Sequence, residues 1–516
     1  MYTPLPTPKE MGNWDKLSIE EFGLYGEILM ENASREAFYV LLSHINEIQG
    51  KSIALFAGSG NNGGDAFALA RHLFDAGAKP IVLHTRPLEQ YKGETAYHIG
   101  LMQKTDIPLV YLPEYNLDFL PAPDVIVDGL LGTGFQGTLR SDYQQWIEQI
   151  NHLGAKAFVL SLDIPSGLNG YTGEPGPIAI RANATATFGA AKLGLFLPEA
   201  SPFLGKLHIC SIGIPVQVSR ENPPSHWGLN SFAWSHLPSR NDLSHKGSAG
   251  HLLIIGGSPG LSGAPALAAI SALRAGAGLV TVACPASLST EIKSGYPDIM
   301  NLPLGNSSIL SKDHYQELSP HLERFDAVVL GPGLGRHKET EQFMSSYLQN
   351  PHPSTLFDAD ALYWLAQNPE LLNNLGPDCV LTPHPGEMAR LCAQNIKEIQ
   401  SHRSVRAREF TAKYQCILAL KGAGTLISAA DQALYIAPFA NANLAVGGSG
   451  DVLSGLTGSL LAKGISPLPA TCLGVYWHGL AGQYLKEKFP EQGNLAQEIA
   501  HALPRVCKES HNDPSF

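Results

Sequence analysis

The 516-residue chain is poor in cysteine: seven are scattered at positions 210, 284, 379, 392, 416, 472 and 507, and no two form a CxxC pair. That count and spacing exclude a disulfide framework and argue against a cysteine zinc site. Charge is also sparse. Charged residues make up 16% of the chain, the formal net charge is −11, and no basic stretch is long enough to track a nucleic-acid backbone. The opening segment, MYTPLPTPKE, lacks the basic and apolar regions of a secretory signal, and no apolar run reaches membrane length. These absences predict a cytoplasmic protein with neither nucleic acid nor membrane as partner. Short internal repeats and low-complexity tracts are missing as well.

What is abundant is glycine, 52 residues, which permits tight loops and close approach of backbone to a ligand. The chain is too long for one ordinary core, and its pattern divides in two. KSIALFAG (51–58) reads as a buried strand, then comes a Gly-rich turn, a helix over 66–76 with Phe67, Ala70, Leu73 and Phe74 on one face, and IVLHT (81–85), together a βαβ unit. Further strands are predicted at 125–132, 157–167, 184–189 and 207–213. The polar, proline-bearing stretch 218–248 reads as a linker, giving domains 1–218 and 219–516. The alternation then restarts: strands at 251–258, 278–285, 325–333, 354–360, 378–387 and 416–424, a helix over 265–275, a hairpin at 425–438, and a Gly-rich turn opening a helix from Asp451. The expected class is α/β, two domains, each a three-layer α/β/α sandwich on a mostly parallel sheet, the first of them Rossmann-like.

The stretch AVGGSGDVLSGLTGSLLAKG (445–464) carries the most chemistry. Gly447, Gly448 and Gly450 let the backbone fold tightly and leave N–H donors, backed by the helix dipole, for a phosphate anion. Asp451 in the first helical turn can accept a proton from an attacking hydroxyl while those donors hold a transferring phosphoryl group; its alternative is a plain helix cap. KGAGT (421–425) is either a phosphate-holding loop or a β-turn with a surface lysine. GPGLG (331–335) either leaves room for a flat ring or is a plain turn, and Ala264 is small for the same possible reason. His384, in PHPGE, is either structural or a hydrogen-bonding partner for a ring or carboxamide.

In the first half, Gly58, Gly60 and Gly63 satisfy G-x-G-x-x-G. The second strand, ending HTRPLEQ, offers no acidic residue for a ribose hydroxyl, which speaks against a dehydrogenase. NNGGD (61–65), VDGLLGTGFQGTL (127–139) and SLDIPSGL (161–168) instead bring amides, Asp128, Asp163 and Ser166 to three strand ends, where a doubly wound sheet binds ligands. The alternative is that each residue merely closes a turn.

GGSGDVLSG resembles the anion-hole motif of ribokinase-like kinases. With residues 245–282, GPGLG, DADAL (358–362), LTPHPGEMARL (381–391) and LKGAGTLI (420–427), the second half resembles the ADP/ATP-dependent NAD(P)H-hydrate dehydratases. The first-half motifs, with MENASREA (30–37), resemble the NAD(P)H-hydrate epimerase domain, with Ala66 where that pattern has glycine. The resemblance implies a bifunctional repair enzyme. It epimerises R and S hydrates of NADH and NADPH (NADHX and NADPHX) and dehydrates the S form, phosphorylating the C6 hydroxyl so that it can be eliminated. It assigns Asn61, Asn62, Gly63, Gly64, Asp65, Gly132, Thr133, Gly134, Phe135, Gln136, Gly137, Thr138 and Asp163 to the epimerase substrate. It gives Asn62, Asp128 and Ser166 to K⁺, and Ala264, Gly333, His384 and Asp451 to the dehydratase substrate. Lys421, Gly422, Ala423, Gly424, Thr425 and Gly450 go to the nucleotide. Asp451 is the expected base of phosphoryl transfer and Asp163 the chosen proton-transfer group. ADP is the expected donor with Mg²⁺, and a homo-oligomer is expected. Two other readings remain open to the motifs: a ribokinase-class small-molecule kinase, and an N-terminal half that only binds. An oxidoreductase is disfavoured by the missing acidic residue.

Overall fold

A computed structural model describes residues 1–135, 138–238, 249–489 and 493–512. The chain forms two compact units, one spanning Pro4–His226 and the other running from Trp227 onward together with Met1–Thr3.

The first unit holds a seven-stranded sheet in the spatial order Leu109–Tyr111, Lys79–His84, Ser52–Ala57, Val125–Gly129, Phe158–Leu162, Ala184–Phe188, Lys206–Cys210. Every neighbouring pair is parallel. Side chains alternate across a strand, and here both faces are covered. Ile53 and Leu55 join one core with Phe67, Leu69 and Val127; Ala54 and Phe56 join another with Ile126, Trp146 and Val159. That explains why these strands read as unbroken apolar runs.

The second unit holds an eleven-stranded sheet: Thr3–Pro4, His226–Gly228, Leu434–Ile436, Leu426–Ser428, Ile417–Leu420, Cys379–Leu381, Ser354–Phe357, Ala327–Leu330, His251–Ile255, Leu279–Pro285, Met300–Leu304. From Ile417–Leu420 to Met300–Leu304 the strands are parallel. Leu426–Ser428 and Leu434–Ile436 form the expected hairpin. Leu252 and Ile254 enter one core and Leu253 and Ile255 the other, so this sheet too is a middle layer.

Three expectations are corrected. The helix after the first strand begins at Asn61, not 66, so NNGGD is its first turn and not a loop. The 218–248 linker is partly ordered: Val216–Glu221 is a helix and His226–Gly228 is a strand of the second sheet, while 239–248 lies outside the described residues. Strands Leu109–Tyr111 and Met300–Leu304 went unread because they are edge strands, short or interrupted by Pro303.

Candidate active sites

In the first unit a cavity of about 760 Å³ opens at the carboxyl ends of Ser52–Ala57 and Val125–Gly129. The chain order reverses between these two strands, which is where doubly wound sheets bind ligands. Asn61, Asn62, Asp65, Gly132, Thr133, Gly134, Phe135, Thr138 and Asp163 all line it. Gln136 and Gly137 lie outside the described residues. Gly63 and Gly64 do not line the cavity: a Cβ on Gly63 would fall 2.0 Å from Gly58 O and one on Gly64 2.5 Å from Met30 Cε. These two glycines let the helix seat against the strand-end turn and its neighbour, and that seating sets the direction of Asn62 and Asp65.

Asp163 has a left-handed backbone (φ 58°), rare outside glycine. Its N–H donates to Ala186 O at 2.7 Å. Its Oδ1 accepts from the Lys192 ammonium, from Phe188 N (3.2 Å) and from Thr187 Oγ1 (3.4 Å), and its Oδ2 has no hydrogen-bond partner among the described residues. Lys192 is 2% exposed and also donates to Thr187 Oγ1 (3.1 Å) and Phe188 O (2.9 Å). Asp15, Asp65 and Glu94 line the same cavity. Burial pushes Asp15 up to about 6, and burial with the Asp163 charge pushes Asp65 well above the usual range. Lys192 and Asp15 escaped the sequence reading, since each stands far along the chain from its partners.

The residues assigned to K⁺ meet at the Leu131 peptide. Asn62 Nδ2 donates to Leu131 O (2.7 Å), Leu131 N donates to Ser166 Oγ (2.8 Å), and Ser166 N (2.8 Å) and Oγ (2.5 Å) donate to Asp128. Asn62 Oδ1 is buried without a partner. An orphaned amide oxygen beside a buried carboxylate and hydroxyl is a hard-oxygen set that fits an alkali cation.

In the second unit the candidate residues follow four adjacent parallel strands. Gly333 lies beyond Ala327–Leu330, Asp358 beyond Ser354–Phe357, His384 beyond Cys379–Leu381 and Lys421 beyond Ile417–Leu420. Above them stands the helix Ser449–Ala462, with Asp451 in its first turn. Its cap, Gly448, has φ 90°, and the N–H groups of Gly450 and Asp451 donate to no carbonyl among the described residues. The helix is fixed by Gly455, whose Cβ would fall 1.9 Å from Ala268 O, and by Ser271 Oγ donating to Val452 O (2.6 Å). Ala264 begins the same supporting helix, Gly263–Arg274.

Lys421 is no surface lysine. Its ammonium donates to Asp358 Oδ1 (2.8 Å) and lies 4.0 Å from Glu387 and 3.3 Å from where a Gly450 Cβ would sit. Ser454 Oγ donates to the other Asp358 oxygen (2.6 Å). Burial, with the Asp358 charge second, pushes Asp451 up to about 7. Burial likewise pushes Glu387 up to about 7. The 421–425 loop is clamped by Arg403, which donates to Leu420 O, Ala423 O and Gly424 O at 3.0 to 3.2 Å. His384 caps a helix: Gly386 N donates to its Nδ1 (3.0 Å), and the ring is half exposed. The Cβ sides of Gly331 and Gly333 meet Asp358 O (1.8 Å) and Leu261 O (2.2 Å), so this loop is glycine-rich in order to pack on its own chain. Asp358, Ser454 and Arg403 were not singled out from sequence. The first of them was visible inside DADAL, but no spacing revealed that Lys421 reaches it.

Family models match both halves: YjeF-related protein N-terminus over residues 26–194 and NAD(P)H-hydrate dehydratase over residues 252–505. Among curated proteins, the bifunctional NAD(P)H-hydrate repair enzyme Nnr of Moorella thermoacetica is 36% identical over 98% of this chain and 96% of its own. That of Coxiella burnetii is 36% identical over 96% and 98%, and that of Escherichia coli K12 is 35% identical over 94% and 92%. The chain belongs to the family of bifunctional NAD(P)H-hydrate repair enzymes.

Proposed function

We propose that the first unit epimerises the C6 hydroxyl of hydrated NADH and NADPH and the second removes it from the S epimer. The observation that carries this reading is Asp451, held in the first turn of a helix whose Gly450 and Asp451 N–H groups are free for an anion. Raised to about 7, its carboxyl can take the hydroxyl proton as the oxygen attacks a phosphoryl group of ADP. Lys421 and the first-turn N–H groups neutralise the phosphoryl charge. Phosphate then leaves C6 as water could not, C5 gives up a proton to solvent as its C–H electrons form the C5=C6 double bond, and AMP and phosphate are released. Mg²⁺ would supply further charge neutralisation. Among the described residues no cluster of three His, Cys, Asp or Glu side chains is set to hold a metal, so that ion would arrive on the nucleotide.

In the first unit the cavity takes the hydrated ring, Asp163 serves as base, and Asn62, Asp128 and Ser166 hold K⁺, which would orient the loops that line the cavity. Family membership of both halves disfavours the kinase and binding-module alternatives. The same reading takes a cytoplasmic homo-oligomer, which light scattering of the pure protein tests; no helix among the described residues is long and apolar enough to cross a membrane.

The test is incubation with mixed R and S NADHX, Mg²⁺ and ADP while the reduced-nicotinamide absorbance is followed. Complete, ADP-dependent recovery supports both assignments. Recovery that stops at the S fraction removes the epimerase, and no recovery with ADP or ATP returns the chain to the kinase reading.

A further inference from the structure

Asp65 is 7% exposed, lines the first-unit cavity, and makes no side-chain hydrogen bond to any described residue. A carboxyl this buried without a partner is costly to ionise. The cation that could pair with it, Lys192, is spent on Asp163 Oδ1, Thr187 and Phe188. The charged groups facing Asp65 are Asp163, Lys192 and Asp15; Glu94 and Arg140 line the same cavity. Asp163 follows the strand Phe158–Leu162 and Asp65 lies in the helix Asn61–Asp75 that follows Ser52–Ala57, the two strands flanking Val125–Gly129. Both carboxyls line one cavity of about 760 Å³, which has room for a six-membered ring beside them.

We infer that Asp65 is the general acid of the epimerase cavity, working against Asp163 as base. The inference rests on the epimerase reading of this unit. C6 of the hydrated ring bears both a hydroxyl and the ring nitrogen. The Asp65 carboxyl gives its proton to that hydroxyl, and the C6–O bond breaks with its electron pair, releasing water. The nitrogen lone pair closes an N1=C6 iminium. A water then adds to the opposite face of C6 as Asp163 Oδ2, its free oxygen, takes the proton. One hydroxyl has replaced another. Asp65 is left ionised and Asp163 protonated, and exchange with solvent resets both. The elevated affinity of Asp65 for its proton, caused first by burial and then by Asp163, keeps it an acid near neutral pH.

The experiment uses the full chain with R-enriched NADHX, ADP and Mg²⁺, so that the second unit reports each S molecule formed. With pure S substrate the same assay reads the dehydratase alone and serves as an internal control. Asp65→Asn should lower the epimerisation kcat by about 100-fold or more while KM and the S-substrate rate hold. Asp65→Glu should recover part of the loss. The wild-type epimerisation rate should fall at alkaline pH, and that limb should vanish in Asp65→Asn. In H₂¹⁸O without ADP, so that the S epimer is not consumed, the epimerised substrate should carry the label at C6. A rise in KM with kcat unchanged would reduce Asp65 to a binding group and overturn the inference, as would an epimerised product free of label. A wild-type chain that dehydrates S but never consumes R would instead remove the epimerase reading itself. Loss of folding in Asp65→Asn would show as a shifted thermal transition, and Asp65→Glu then decides: partial kcat with wild-type melting and labelled product supports the acid role, and unlabelled product, or a raised KM with wild-type kcat, overturns it.

Discussion

In each unit a lysine, Lys192 buried in the first and Lys421 partly buried in the second, faces several carboxyls, and the two units use it in opposite ways. In the first, Lys192 binds Asp163 and leaves Asp15 and Asp65 with raised proton affinity. In the second, Lys421 binds Asp358 and leaves Asp451 and Glu387 near 7. The proposed base is the lysine-bound carboxylate in one case and the unbound one in the other. The chemistry explains the contrast. A base that must be ready before any anionic substrate binds gains from a fixed cation. A base at a phosphoryl-transfer site shares its surroundings with phosphate charge and needs a proton affinity near ambient pH, which burial supplies.

The comparison breaks most sharply at Asp451. Asp451→Ala should lower dehydration of S-NADHX by at least about 100-fold and leave epimerisation intact, as read by chromatography of the two epimers. Next comes the lysine. Lys192→Met strands a partly buried Asp163 carboxylate, so it should remove epimerisation and cost about 2 kcal/mol in denaturant unfolding of the first unit, with the second unit's activity unchanged. Asn62→Ala, or exchange of K⁺ for Na⁺, should slow epimerisation about tenfold and spare dehydration, which a salt-exchange assay on the same sample reads. The pH profiles should diverge. Asp451 must be deprotonated to accept a proton, so below about 7 the dehydration rate should drop by about tenfold per unit and level off above it. Smallest in effect on chemistry is Gly455→Ala, whose methyl meets Ala268 O. It should lower the stability of the second unit by about 1–3 kcal/mol and change dehydration only as far as the helix tilts.

Much of the architecture was legible because parallel strands buried on both faces leave unbroken apolar runs between glycine-rich turns, as at 51–58 and 251–258. Strands at and beside the sheet edges were not legible: Leu109–Tyr111 and His226–Gly228 have three residues each, too few to show a strand pattern. The helix start at Asn61 was misjudged because two glycines, poor helix formers, stand in its first turn for packing against Gly58 and Met30.

The sequence alone determined the motif chemistry: a Gly-rich turn must sit before Asp451, and amides and carboxylates must gather after the strands. Only tertiary structure decided which carboxyl each lysine holds. Lys192 lies 29 residues from Asp163 and Lys421 lies 63 from Asp358, so no local spacing encodes either pair. The pairs are made by strand order in the sheets, and with them the division of each site into one lysine-bound carboxyl and others whose proton affinity burial raises.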